Sequence, residues 1–379
     1  MNTTSKDFNM EINVIKALGI ITIVAGHANF SVLTQFFPAY SYHLTIFYFV
    51  SGYLIKEKYL YNIFTYIIKK FKCLIGLYFI YNIIYALITY IVYKINGQIV
   101  GNLPNLKNFF IQPFFNGHQY LLDCALWFVP QLFISLITFV ILYKVFKILI
   151  KKDRLIFISF LSITLLSIFL SGNNYEKFDQ SLGLIAFRTM FSLFFIYLGF
   201  IYKLKIEDKY AKKIFSLNLL PFIFIIQTIC WLIPSKPFDD GSTALDYIVI
   251  WNYFPNNITP IITSLTGIWL TIYIAKLITP YTQQGCFLDQ IGRNTFHIMA
   301  NHLFIFYIIS VIFLSFNHES LYKLHAYDYV YYIHQPEKFT FLYIIVSLTL
   351  TNIFANFIKY LKNKIINLHK KRGCLKTTS

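Results

Sequence analysis

From end to end the chain alternates between apolar stretches of about 20 residues and shorter polar connections. Stretches this long and this apolar read as membrane-spanning helices rather than as core helices or strands. The pattern predicts ten spans, over residues 13–32, 43–60, 71–93, 122–150, 154–171, 184–202, 213–234, 257–279, 294–316 and 339–360. The fourth is longer than a bilayer requires and is expected to tilt or project. No internal repeat and no separate soluble region interrupts the series. The fold expected is therefore all-α, one polytopic membrane domain over residues 1–379. Its tails are expected to cover about 12 residues at the N-terminus and about 19 at the C-terminus. The first apolar run is long enough to remain as a span, so no cleavable signal peptide is expected.

Composition agrees with this pattern. Hydrophobic residues make up 57% of the chain and charged residues only 13%, about half the share of a soluble domain. The net charge of +17 raises the question of nucleic acid. Its placement answers otherwise. With the N-terminus in the cytoplasm, 26 of the 33 lysines and arginines fall in cytoplasmic segments or tails. That is the positive-inside bias of a membrane protein with both termini cytoplasmic, and no nucleic-acid partner is expected. The five cysteines are scattered without ligand spacing, so neither a disulfide framework nor a metal site is expected. The loops assigned to the outside are rich in Tyr, Phe, Trp and Asn, which suits sugar rings as well as a membrane interface.

Polar residues inside the spans then carry the chemistry, because an ionisable group at bilayer depth costs about 2.5–3.5 kcal/mol on insertion scales. "INVIKALGIITIVAGHANF" holds two, Lys16 and His27. Eleven residues separate them, about 20° past three full turns, so they share a helix face about 16 Å apart. Neutral imidazole is suited to general-base work, and as packing glue it would instead bridge helices. Lys69 and Lys72 lie three apart, a spacing at which both reach one phosphate group. "IGRNTFHIMANHLFIF" brings Asn301 and His302 to depth, and Arg188 enters from the outer side. Basic groups inside, an imidazole deeper and sugar-suited loops outside make a layout for moving a group from a phosphorylated cytoplasmic donor to an external acceptor.

The sequence resembles the membrane acyltransferase 3 family, especially its polysaccharide and fucose O-acetylase-like branch. The opening motif of a basic residue, ten others and a histidine matches Lys16 through His27. "HLTIFYFVSGYL" with Ser51 and Gly52, "ALWFVPQLF" with Trp127, "FSLFFIYLGFIYK" and "IGRNTFHIMANHLF" with His302 resemble further family segments, in the family's order. The chain departs where the family often has Asp three residues before the basic position. Here it is Asn13, and Glu11 is the expected substitute carboxylate.

The resemblance implies acyl transfer from acyl-CoA, usually acetyl-CoA, to a hydroxyl of a polysaccharide or lipid-linked sugar at the cell surface. It implies a multi-pass protein of the plasma membrane, with acyl-CoA as co-substrate and no bound cofactor, and the bias towards Ile, Lys, Asn, Phe and Tyr suggests an AT-rich bacterial genome. His27 is the expected catalytic base. Lys16, Lys69 and Lys72 are the expected donor contacts. Asn13, Ser51, Trp127, Arg188, Asn301 and His302 are expected to support the site or touch the acceptor. No Ser or Cys stands in a nucleophile motif, which favours direct transfer. Two alternatives compete: a polytopic transporter or flippase for a glycan or related solute, and a sensor or scaffold that kept the fold without the activity. The acceptor sugar and the oligomeric state are not legible.

Overall fold

The computed structural model describes residues 8–30, 36–96, 101–115, 117, 119–171, 181–233, 245–324 and 331–375. The described residues form helices, with no strand beyond two isolated bridges, Gly101 to Tyr120 and Ile248 to Tyr253. This is an all-α polytopic membrane protein. In a bilayer, only a helix satisfies each peptide group within its own segment. The main helices are α1 (Met10–His27), α2 (His43–Tyr53), α3 (Gly76–Asn96), α4 (Phe128–Leu149), α5 (Asp153–Ser171), α6 (Leu182–Ile201), α7 (Leu220–Leu232), α8 (Thr259–Ile278), α9 (Phe287–Arg293), α10 (Thr295–Phe316) and α11 (Pro336–Leu375).

Eight helical segments are long and apolar enough to cross a membrane. The other two of the ten expected spans fall on short helices. The span expected over 43–60 is helical as α2 only to Tyr53, and the one over 213–234 is carried by the short apolar segment Leu217–Leu232. The first span also ends earlier than expected, at His27 instead of residue 32. Asn29 adopts a left-handed φ of 52°. The amides of Asn29 and Phe30 turn back to the carbonyls of Gly26 and Ala25, which closes the helix as a Schellman cap. Asn tolerates that backbone region better than most residues. At the other end Asn9 caps α1 by accepting from the Ile12 amide at 3.3 Å.

α1 is the central element. Of its most apolar stretch 67% is buried, against 33% for α5, which lies at the edge. It packs on α2, α8, α9, α10 and α11. α2 runs antiparallel beside it: Tyr53 Oη accepts from Asn9 Nδ2 at one end, and Tyr40, just before α2, faces the His27 ring at the other. Two glycines let α2 and α6 cross closely. A Cβ on Gly199 would lie 1.8 Å from the Phe49 carbonyl oxygen, and one on Gly52 would lie 2.0 Å from that of Ile196. The "SGY" and "YLGF" segments are thus the two halves of one helix crossing.

Candidate active site

The two polar groups of α1 stand at opposite ends of an unbroken helix. Lys16 lies at the end where the basic segments gather, termed here the basic end. His27 is the last residue at the far end. Their common face and the separation of about 16 Å expected from helix geometry are kept.

At the basic end Lys16 joins a web built mostly by α9, α10 and α11. Asn13 Nδ2 donates to Asp289 Oδ1 at 2.8 Å and to the Asp289 carbonyl at 2.9 Å. Asn13 Oδ1 accepts from Lys16 Nζ at 3.4 Å. Arg293 Nε donates to both oxygens of Asp289, at 2.9 and 3.0 Å. Lys359 Nζ donates to Asn294 Oδ1, and Asn294 Nδ2 donates to Asn352 and Asn356. Gly292 makes room for the crossing, because a Cβ there would meet the Asn13 carbonyl oxygen at 2.2 Å. Lys16, Arg293 and Lys359 all lie within electrostatic range of Asp289. Three cations around one buried carboxylate leave positive charge for an anion. Asp289, rather than Glu11, is the carboxylate beside Asn13. Glu11 instead pairs with Lys276 at 2.8 Å.

At the far end His27 Nδ1 lies 2.7 Å from His302 Nε2. The rings are nearly coplanar, at 4°, with centroids 5.0 Å apart, so the two nitrogens meet in a shared plane rather than ring over ring. His302 Nδ1 lies 3.0 Å from the Ile298 carbonyl, which can only accept. His302 Nδ1 therefore carries the proton. In a neutral pair its Nε2 is a lone pair, which accepts from His27 Nδ1–H. That leaves His27 Nε2 as a lone pair outside the pair, the atom a general base needs. His302 is fully buried and His27 partly exposed, so the outer member of the pair is the reachable one. The rings of Tyr40 and Tyr331 flank His27 at 6.1 and 5.4 Å.

The other expected residues are placed as follows. Asn301 lies next to His302, but its amide is already engaged: it donates to the His297 carbonyl of its own helix at 2.6 Å and to Tyr81 Oη of α3 at 3.2 Å, and accepts from Tyr85 Oη of α3 at 3.0 Å. Ser51 is eight residues along α2 from His43, about 12 Å towards the basic end, so it stands away from His27. Trp127 and Arg188 meet each other, with the guanidinium 5.0 Å from the indole centroid. Arg188 also donates to the carbonyls of Phe115, at 2.6 Å, and Ile250. This pair clasps two connecting segments to the helices. Lys69 donates to Tyr59 Oη at 2.9 Å, and Lys72 is exposed on the π turn Phe71–Ile75. That stretch packs on α4, whereas α1 meets α9 and α11.

Sequence reasoning missed Asp289, Lys359, Tyr40, Tyr331 and Asp123. Asp123 is an ionisable residue in the apolar run "YLLDCALWFV" and carries the same signal that singled out His27. The aromatic loops expected on the outer side fall partly outside the described residues, at 97–100, 172–180, 234–244 and 325–330. Among the described residues no cluster of His, Cys, Asp or Glu could hold a metal ion.

No curated protein and no solved structure matches the chain. An acyltransferase domain family matches residues 9–361, from the Asn9 cap of α1 into α11, and so takes in the histidine pair and the basic web alike. The chain belongs to the membrane acyltransferase 3 family.

Proposed function

We propose that this membrane acyltransferase moves an acyl group, acetyl by the family's usual habit, from cytoplasmic acyl-CoA to a hydroxyl of a cell-surface or lipid-linked glycan, in a bacterial plasma membrane with both termini cytoplasmic. The observation that carries the reading is the His27–His302 pair. It holds one imidazole in a fixed orientation and tautomer, with His27 Nε2 turned out of the pair. As the acceptor oxygen attacks the thioester carbonyl, its proton goes to His27 Nε2. The C–S bond then breaks, its electron pair leaves with the sulfur, and the proton passes from His27 to the CoA thiolate. His302 is a positioning residue, since it acts through His27. Cys124, the cysteine near this end, is buried with its Sγ 3.3 Å from Tyr331 Oη. That suits direct transfer rather than an acyl-cysteine.

The donor's phosphates would sit with Lys16, Arg293 and Lys359, whose charge exceeds that of the single Asp289. Charge-assisted contacts to phosphate are strong, and Arg suits them by its two-pronged geometry. The distance of about 16 Å along α1 suits an extended pantetheine arm between phosphates and thioester. Lys69 and Lys72 stand apart from this cluster and would contribute less.

The test is acylation per folded molecule in purified, reconstituted protein. His27→Gln should lower it about 10²-fold or more while acyl-CoA binding persists. Near-normal specific activity would return His27 to the role of helix-packing glue.

A further inference from the structure

Residues 119–127 lead into α4. Leu121–Trp127 forms a 3-10 turn buried along its whole length, kinked at Asp123, where φ is −120° and ψ is 20°. The Asp123 side chain is 2% exposed, and neither of its carboxyl oxygens has a hydrogen-bond partner among the described residues. Gln119 Oε1 and Tyr120 Oη are likewise buried without a partner. Four unsatisfied oxygens thus fall within five positions of the chain. Native proteins leave few buried polar groups unpaired, and each such group calls for a partner or a role.

The surroundings narrow the chemistry. Gln119 Nε2 is spent on Tyr78 Oη at 2.6 Å and Asn82 Oδ1 at 2.9 Å, so its oxygen is what remains. The phenols of Tyr78, Tyr85 and Tyr120 lie within electrostatic range of Asp123. The next residue, Cys124, touches Tyr331, whose ring faces His27. Tyr85 donates to Asn301, the neighbour of His302. These unsatisfied groups therefore lie between the tyrosine face of α3 and the histidine pair. The Gln119 amide oxygen only accepts, whereas the Tyr120 hydroxyl and a protonated carboxyl donate as well as accept, so the missing partner offers both donors and acceptors, as hydroxyls do. Several donors on one small body beside aromatic rings are the hydroxyls of a sugar or similar polyol.

We infer that residues 119–123 form a recognition subsite for a hydroxyl-rich, uncharged ring, anchored by the Asp123 carboxyl with help from Gln119 and Tyr120. The inference rests on the acyl-transfer reading in one respect: there the ring is the acceptor, held beside His27. Asp123 binds the hydroxyls that are not acylated, while His27 serves the one that is.

The experiment uses the full reconstituted chain and a panel of methyl glycosides. Saturation-transfer NMR reads sugar binding without any reaction. Wild type should show transfer to ring protons, Asp123→Asn should bind about 10-fold more weakly, and Tyr120→Phe several-fold more weakly. Binding of acyl-CoA should be unchanged in both variants. In the transfer assay the same changes should appear in the KM for sugar and not in the KM for acyl-CoA. Where Asp123→Asn does not fold, Tyr120→Phe decides alone, because it removes one hydroxyl. Absence of sugar binding by wild type, or equal binding in wild type and variant, overturns the subsite. Sugar binding that depends on Asp123, in a protein that acylates nothing, would uphold the subsite and sink the acyl-transfer reading. His27→Gln should retain sugar binding throughout.

Discussion

The two ends of α1 handle polarity in opposite ways. At the basic end, Asn13, Lys16, Asp289, Gln290, Arg293, Asn294, Asn352, Asn356 and Lys359 form one web, and no side-chain atom of theirs is buried without a partner among the described residues. At the far end, His27 keeps one nitrogen outside its pair, and Gln119, Tyr120 and Asp123 keep unmet oxygens. A satisfied web with surplus positive charge is suited to hold an anion that arrives and leaves unchanged. Unmet groups are suited to a partner whose bonds and protons move. Changes at the far end should therefore act on turnover and acceptor, and changes at the basic end on donor affinity.

The sharpest way to break that division is His302. His302→Phe keeps an aromatic ring but removes the acceptor for His27 Nδ1–H, freeing both the tautomer and the orientation of the base. Turnover should fall about 10²-fold, on the scale of losing general-base catalysis, with the KM for acyl-CoA little changed. His302→Gln offers an amide oxygen in that place and should recover part of the loss. Equal loss in both, in step with the amount of folded protein, would make the pair a packing device.

The next test acts on the other end. Arg293→Ala and Lys359→Ala should each raise the KM for acyl-CoA about 10-fold with turnover largely kept, as expected for one charge-assisted phosphate contact. The effect should shrink with added salt, because both side chains reach towards solvent and are screened. A fall in turnover at constant KM would assign these residues to the chemistry and erase the contrast between the ends.

How much of this was visible beforehand follows the same division. Helices were legible because hydropathy in lipid is nearly a rule of backbone chemistry. Their ends were not. α1 stops at His27 because Asn29 takes a left-handed turn, and hydropathy does not register a cap. Lys16, His27 and His302 stood out as ionisable groups in apolar runs, and the structure brings the two histidines together across 275 positions. Such a pairing is a tertiary fact. Asp289 and Lys359 looked like ordinary charges at helix ends, where charge costs little, and only the meeting of α9 and α11 with α1 gathers them. Arg188 was conspicuous by type and Trp127 by the family-like segment that holds it, yet they meet each other, and Arg188 holds backbone carbonyls. Residue type alone does not separate a clasp from a contact with substrate.

The smallest expected effect asks where the basic end stops. Lys69 and Lys72 share its sign and its spacing suits a phosphate, but their stretch packs on α4, and Lys69 is already bonded to Tyr59 Oη with its Nζ 5.4 Å from that ring's centroid. Using Lys69 for a phosphate would mean giving up those contacts, and exposed Lys72 would act through screened solvent. Changing both to Ala should raise the KM for acyl-CoA by about twofold or less, well below the effect of Lys359→Ala alone. Steady-state kinetics on the three proteins at one salt concentration makes the comparison. If the Lys69 and Lys72 pair costs more than Lys359, the donor's phosphates lie beside α4 rather than at α9 and α11. The path from phosphate to His27 would then cross between helices instead of following α1, and the shared face of Lys16 and His27 would lose its meaning as a measure of the donor's reach.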